Sequence, residues 1–370
     1  MTIQDITVRV GIKTLGKPEL AAEGDVTVLR NMLIGDGFHW QQTIEARLPG
    51  KTEPYADPES NVSLVNVVPV ETYLECVVGS EMNPAAPLEF LKAHAVISRS
   101  WAVGKVLGAH RYPSGGRIDR TDALTGWDDN ESHKGYDVCS DDHCQRYQGL
   151  QPISETALRA IRETAGEVLT DSGGNIVDAR FSKCCGGKTE VFSTCWQPVE
   201  VATLESFDDP WCDLSELRDD DRERLLSAIL KDYDRHTQNY GYRWEEEISY
   251  SAIQSNLKKR FGRDIGRIRC LTPLHRGPSG RIDLLEIEGE RGRLRIGKEL
   301  WIRRLLSQTH LYSSAFEIEE RGNDAVRLRG RGWGHGVGLC QIGAAHMARR
   351  GHSYRDILAF YYPSSRCERI

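Results

Sequence analysis

The chain has 370 residues, enough for two or three domains, with 39% hydrophobic and 28% charged residues, the balance of a globular protein. No apolar run approaches the roughly 20 residues needed to span a bilayer, and a net charge of −6 argues against a general nucleic-acid binder. The charge is uneven: residues 200–223 are acid-rich and Lys258 to Arg304 is dense in Lys and Arg, a pattern of solvated faces or of contact with an anionic polymer.

Met1 to Asp5 offers neither a basic region nor an apolar core, so no signal peptide is read there; either the protein is cytosolic or its export signal lies outside this chain. Ile6 to Ile12 alternates as a strand. Residues 16–62 are rich in Gly, Pro and polar groups, with short strand-like pieces at Val26–Leu29 and Gln41–Ala46. Ser63 to Pro69 is a further strand, and the apolar run after it ends in one acid, Glu81, read as a loop residue beside the start of a helix. A carboxylic acid with hydrophobic neighbours can keep its proton near neutral pH and donate it; an exposed loop acid, or a charge favouring the helix dipole, fits the composition too.

The helix is predicted from about Pro87 to Leu107. Pro87 suits the first turn, and Leu88, Leu91, Ala95, Ser98, Ala102 and Val106 make one buried stripe. Residues 111–150 read as a loop, long enough to suggest a functional role or disorder. Within it, H-K-G-Y-D-V-C-S-D-D-H-C places His133, Cys139 and Cys144 together, with His143 beside the last cysteine. Zinc takes imidazole nitrogen and thiolate sulfur in tetrahedral sets, and three protein ligands leave a fourth position open; a Cys139–Cys144 disulfide or free thiols are the alternatives.

Glu155–Glu163 reads as a short helix, and Glu167–Leu169 with Asn175–Phe181 as a hairpin. Cys184-Cys185 is a vicinal pair for which Cys195 and Cys212 are possible bridge partners. Asp219–Tyr233 and Ser251–Phe261 are predicted helices; Arg267–Leu271, Arg281–Glu288 and Arg293–Ile296 are predicted strands. Leu300–Leu306 is a helix, Ala315–Glu319 and Ala325–Gly330 are strands, and Tyr354–Phe360 is a last helix. Between them runs R-G-R-G-W-G-H-G-V-G-L-C-Q-I-G-A-A-H-M-A. Its five glycines from Gly330 to Gly338 forbid helix and permit unusual backbone angles or close ligand approach. His335 and Trp333 in such a loop, with Gln341 shortly after, suggest a carbohydrate or peptide groove; a glycine-rich structural turn is the plainer reading, and a Cys340–His335 nucleophile pair is the least supported. Strands and helices do not alternate regularly, so the expected class is α+β: mixed antiparallel sheets, a long helix after the acid, and an inserted loop-rich region.

Three segments together resemble the SpoIID/LytB family of bacterial cell-wall proteins. E-T-Y-L through S-E-M with P-L-E-F-L-K-A-H-A-V-I-S-R-S-W-A is similar to the family's acid and helix, H-K-G-Y-D-V-C…H-C-Q-R-Y to its cysteine loop, and G-W-G-H-G-V-G-L-C-Q-I-G-A to its C-terminal signature. The resemblance implies a lytic transglycosylase that cuts peptidoglycan between N-acetylmuramic acid and N-acetylglucosamine on denuded strands, forming 1,6-anhydro ends. It implies Glu81 as acid and base, His335 and Gln341 as orienting groups, Trp333, Gly336 and Arg99 in substrate binding, and a structural zinc on His133, Cys139 and Cys144. Glycan strands, and a cell-wall amidase, are the implied partners, and the cell envelope the implied location. Some relatives are amidase enhancers that cut nothing, and a zinc hydrolase using metal-bound water is a third class. The expected division is a β-rich region (1–62), a SpoIID-like core with acid and cysteine loop (63–212), a helical insertion (213–264) and a C-terminal core part with the Gly-rich loop (265–370). Asn83 lengthens the acid-Met-Pro element by one residue, Cys184-Cys185 stands where small polar residues are usual, and Cys340 stands for a usual Ser.

Overall fold

The computed structural model describes all residues except 1–2, 38–39, 58–61, 84, 111, 113–116, 128–132, 152, 232–236, 310 and 323. Strand β1 (Thr7–Lys13) buries Val8, Val10 and Ile12 on alternate positions. β2 (Leu20–Glu23), β3 (Val26–Ile34) and β4 (Gln42–Pro49) form an antiparallel sheet, both predicted pieces here being longer than their apolar cores suggested. β5 (Lys51–Asp57) and β6 (Val62–Pro69) extend β1 into a second sheet, with Thr7 opposite Pro69.

The run expected to lead into a loop is instead helix α1 (Val70–Glu81). Val70, Tyr73, Leu74, Val77, Val78 and Glu81 recur at three- and four-residue steps, and all are buried. Glu81 is therefore the last helical residue rather than a loop acid.

Helix α2 (Leu88–Val106) begins directly after Pro87, as predicted. It is not an amphipathic surface helix: Phe90, Leu91 and every residue from Ala93 to Gly104 are buried, because α1, α3 (Glu155–Glu163), α8 (Gln341–Arg349), α9 (Tyr354–Tyr361) and a strand pack around it. A helix covered on all sides must satisfy its polar residues internally. Ser100 Oγ donates to the Val96 carbonyl and accepts the Leu169 amide. Arg99, expected in substrate binding, has no exposed surface; its guanidinium is bonded in fork geometry to Glu71 at 2.8 and 2.9 Å and to the Glu167 carbonyl at 3.0 Å. It is an internal brace.

The described part of 111–150 holds three short strands, β7 (Ile118–Asp119), β8 (Ala123–Thr125) and β9 (Val138–Cys139); the rest of that predicted loop falls partly outside the described residues. β9 lies parallel to β1, Gly11 facing Cys139, and a side chain at Gly11 would strike the Tyr136 ring. β10 (Glu167–Thr170) forms the predicted hairpin in a short form, with an antiparallel Thr170–Ile176 bridge and the Val177 amide on the Leu169 carbonyl, and its longer pairing is with the C-terminal strand β19 (Arg366–Arg369). β11 (Phe181–Ser182) pairs parallel with β18 (Leu339–Cys340). The short helix α4 (Phe192–Cys195) precedes α5 (Asp219–Ile229), whose predicted end at Tyr233 lies outside the described residues.

The remaining elements build a second core. β12 (Arg243–Ser249) leads into α6 (Tyr250–Phe261), closed by Gly262 at φ +64. β13 (Ile268–Arg276), β14 (Ile282–Gly289) and β15 (Gly292–Gly297) form antiparallel pairs, and β8 joins β15 in parallel. α7 (Glu299–Leu306), β16 (Phe316–Arg321) and β17 (Ala325–Arg331) complete it, β12 pairing with β17. One apolar cluster gathers α1, α2, α8 and α9; the other gathers Ile253, Ile268, Leu285, Ile296 and Ile302. The class is α+β, as expected.

Replacing Glu71 by Ala leaves Arg99 as an unpaired buried charge, and should lower unfolding free energy by about 3–5 kcal/mol. Urea titration of the variant against the parent chain measures this.

Candidate functional site

Glu81 sits at the C-terminal end of α1, 7% exposed. Its Oε1 accepts the Arg146 amide N–H at 3.0 Å, and among the described residues it takes part in no ion pair. The neighbouring turn is held the same way: Ser80 Oγ accepts the Gln148 amide at 3.0 Å, and the Tyr73 hydroxyl donates to Gln145 Oε1 at 3.0 Å. Segment 145–148 is thus docked on the end of α1.

That segment follows the cysteine loop directly. The ligand atoms of His133, Cys139, His143 and Cys144 lie within 4.8 Å of one another. His143 Nδ1 is 3.5 Å from Cys144 Sγ and 3.7 Å from Cys139 Sγ, and His133 Nε2 is 3.9 Å from Cys144 Sγ. The hydrogen bond from the Cys144 thiol, with those of His133 and His143, holds the Cys139 thiol well below its usual range despite burial. Two imidazoles and two sulfurs, one inclined to be thiolate, fit a tetrahedral zinc-type ion. Sequence reasoning named three of the four. His143 fills the position left open, which makes the set closed. A cation here would cross-link the loop that carries the Arg146 amide.

The glycine-rich segment reaches the same place through β11 and β18. A side chain at Gly336 would strike the Arg281 guanidinium, so this residue, expected in substrate binding, is a packing position instead, at φ +76. His335 Nδ1 accepts the Val337 amide at 3.0 Å, leaving its proton on Nε2, and its ring meets the Trp196 ring edge-on at 4.9 Å. Burial, then the nearby Arg180, Arg281 and Arg303, push its imidazole well below the usual range, so it is a neutral group. Gln341 Nε2 lies 3.2 Å from His94 Nε2, and His94 Nδ1 lies 3.2 Å from Ser98 Oγ. His94, in the buried middle of α2, is pulled down to about 3 by burial and by Lys183.

These groups converge on a cleft of about 640 Å³. Glu81, His335, Gln341, Trp333 and Cys144 line it; Arg99 and Gly336 do not. Sequence reasoning missed much of the rest: Trp40, Trp101 and Trp196, and the cations Lys13, Arg146, Arg180, Lys183, Arg303 and Arg304. No pattern joined these scattered residues before folding. Other carboxylates line the cleft too. Asp36 and Asp141 pair with Lys13, Asp142 with Arg146 at 2.5 Å, and Glu299 with Arg303 at 3.4 Å. Glu246 accepts the Gln238 amide at 3.2 Å, and burial pushes its carboxyl up. A second hollow of about 530 Å³ over β12, β16 and β17 contains none of the predicted residues.

Residues 58–170, which carry α1, α2 and the cysteine loop, match the protein family described as Stage II sporulation protein. The SpoIID resemblance is shown. Residues 190–338 match a domain of unknown function, DUF8618. The chain is 27% identical to Stage II sporulation protein D of Bacillus amyloliquefaciens, covering 82% of this chain and 75% of that protein. It is 25% identical to Stage II sporulation protein D of Bacillus subtilis, over 84% and 78%. The amidase enhancer of Bacillus subtilis is 23% identical over 79% of this chain but only 40% of its own length. The SpoIID match thus contains Glu81 and all four loop ligands but stops before His335 and Gln341.

Cys139→Ser should abolish zinc binding by the loop set, read as one equivalent fewer by elemental analysis than the zinc-loaded parent chain takes up. A second outcome concerns His94. Its folded value lies below the ordinary one near 6.5, so the stability it contributes is complete above pH ~6.5 and is lost as pH falls from there toward 3, by about 1.4 kcal/mol per pH unit. His94→Gln should flatten the acid-side decline in urea midpoint relative to the parent chain by that slope.

Proposed function

We propose that the protein is a lytic transglycosylase of bacterial peptidoglycan, acting in the cell envelope on glycan strands stripped of stem peptides. The observation that carries this reading is Glu81: a buried carboxyl with no cation partner among the described residues, lining a cleft walled by tryptophans and cations, inside the segment that matches the SpoIID family. Aromatic faces suit the apolar faces of sugar rings, and the cations suit the lactyl carboxylates of muramic acid. Among the described residues no helix is long and apolar enough to cross a membrane.

The chemistry needs one acid rather than two. Glu81, protonated, gives its proton to the glycosidic oxygen as the bond from the anomeric carbon breaks. The resulting carboxylate takes the proton of the muramic acid 6-hydroxyl, whose oxygen closes on the anomeric carbon as a 1,6-anhydro ring. Water does not enter, so the second carboxylate of a hydrolytic glycosidase is unnecessary. This suits a cleft in which Asp36, Asp141, Asp142 and Glu299 are engaged with cations. Gln341 offers its side-chain amide to orient the sugar or the charge that develops on it, and neutral His335, with Nδ1 on the Val337 amide and its ring bonded to the Phe181 backbone, forms a fixed wall beside it. His133, Cys139, His143 and Cys144 would hold a zinc ion that supplies a structural cross-link; their part in the reaction is to keep the Arg146 amide on Glu81.

A second reading follows from the amidase-enhancer relative: the same cleft binds glycan or a cell-wall amidase and breaks no bond. Incubation with purified denuded glycan, followed by mass spectrometry, separates the readings. The parent chain should release anhydromuramyl ends. Glu81→Gln should release them at least ~100-fold more slowly, the lower end of what general acid–base catalysis contributes, while Glu246→Gln should keep most of the activity. Undiminished release by Glu81→Gln would remove the assignment. Reducing ends would mark a hydrolase, and retained binding without cleavage the enhancer.

A further inference from the structure

Four buried groups from three distant stretches of chain meet at the base of the glycine-rich loop. Cys185, Asp209, Cys212 and Cys340 are each no more than 1% exposed, and their ligand atoms lie within 4.8 Å of one another. Cys340 Sγ is 3.5 Å from Cys212 Sγ, and Cys185 Sγ is 3.2 Å from Asp209 Oδ2. Cys184 Sγ adjoins the set, 3.3 Å from Cys212 Sγ. Sulfurs bound tetrahedrally to zinc at about 2.3 Å stand about 3.8 Å apart. The observed spacing therefore leaves room for one ion and none for a polynuclear cluster.

We propose that Cys185, Cys212, Cys340 and Asp209 hold a single tetrahedral divalent cation of the zinc class, at a centre separate from the cysteine loop. Hydrogen bonding around the set supports this independently of the spacing. Three backbone amides are aimed at its sulfurs: Cys185 N–H at Cys340 Sγ (3.3 Å), Gly343 N–H at Cys340 Sγ (3.5 Å) and Gly187 N–H at Cys185 Sγ (3.4 Å). A neutral thiol is a weak acceptor, whereas a metal-bound thiolate takes such bonds readily. Cys340 also caps the N-terminus of α8, where negative charge is favoured. The Asp209 carboxylate is oriented by the Trp211 amide at 3.1 Å on Oδ1 and the Tyr361 hydroxyl at 2.9 Å on Oδ2. A side chain at Gly343 would come within 2.8 Å of that carboxylate, so α8 opens with glycine there. Three thiolates of this kind are soft donors, which suit zinc over magnesium or calcium. The ion would tie together the chain leaving β11, the turn at 209–212 and the start of α8, which carries Gln341.

The test uses the full chain with Cys139→Ser and His143→Ala, which empties the loop set. This variant should retain one equivalent of zinc, and adding Cys212→Ser should take it to none. Cobalt loaded into the first variant should give sulfur-to-metal charge-transfer absorption that the Cys212→Ser form lacks. Should that form fail to fold, X-ray absorption on the first variant decides alone: three sulfurs and one oxygen are expected, and a shell of nitrogen and oxygen only overturns the proposal. No metal in the first variant, or any disulfide among Cys184, Cys185, Cys212 and Cys340 in an unreduced digest, overturns it as well.

Discussion

Everything at the site depends on the docking of one short stretch, residues 145–148, against the C-terminal end of α1. A helix end leaves backbone groups without partners, and a buried acid there needs a fixed donor. The stretch supplies the donor, with the Arg146 amide on Glu81 and the Gln148 amide on Ser80 Oγ, while the Gly79 carbonyl takes the Lys231 ammonium and the Tyr73 and Tyr147 rings stack with centroids 5.6 Å apart. Tyr147 in turn bonds Asn66 on β6, so the strand, the helix and the loop are one hydrogen-bonded unit. The cysteine loop enters this unit immediately upstream. A ligand set there acts on the acid through only two residues of backbone, from Cys144 to Arg146.

The charges of the cleft explain why one carboxyl differs from its neighbours. Most of the acids lining it are matched by a nearby cation, and cations of the cleft stack on its aromatic rings: Arg146, paired with Asp142, lies 4.7 Å from the Trp40 centroid, and Arg180, paired with Asp178 outside the lining, lies 3.8 Å from that of Trp196. A cation partner favours the ionised form of an acid, although burial still pushes the Asp141 carboxyl up to about 6 beside Lys13. Glu81 is bonded instead to a neutral amide, and Glu246 to an amide side chain across the cleft. Geometry alone leaves these two as candidates for proton transfer. What separates them is position: Glu81 ends a buried helix with its donor fixed by a backbone, whereas Glu246 is half-buried on β12, at an end of its three-stranded sheet.

The sequence made some of this legible and hid the rest for identifiable reasons. Helix α2 was plain from Pro87 and its spacing, but the burial of every residue from Ala93 to Gly104 was not, because a stripe of six residues says nothing about what covers the other faces. Arg99 looked like a ligand-binding cation; only the fork to Glu71, from a helix 28 residues away, shows it to be internal. α1 was misread because its apolar run, in V-E-T-Y-L-E-C-V-V-G-S-E, continues from a genuine strand and hides a change of period at Pro69. The hairpin expected after β10 is shorter than predicted for a different reason: the main partner of β10 is β19, nearly two hundred residues on, a pairing that no local turn signal encodes. The cysteine loop was found from spacing, while the meeting of Cys185, Cys212 and Cys340 required the parallel pairing of β11 with β18, two strands of two residues each.

That same pairing sets how the glycine-rich segment works. Parallel alignment of Phe181 with Leu339 draws Gly338 so close to the Arg180 carbonyl that any side chain at 338 would overlap it, and Gly336 is likewise pressed against Arg281. The glycines at 336 and 338 serve packing, while Trp333 lines the cleft together with two polar side chains, His335 and Gln341. Each is then fixed from behind by a buried partner, the Val337 amide for His335 and His94 for Gln341. Groups held this way lose little freedom when a sugar binds and need no reorganisation as charge develops on it, which is the condition under which neutral donors stabilise a transition state. The buried, uncharged state of His94 belongs to the same arrangement: with Gln341 donating to His94 Nε2, the remaining ring proton sits on Nδ1 toward Ser98, and the Gln341 carbonyl oxygen and amide are oriented by the core rather than by solvent.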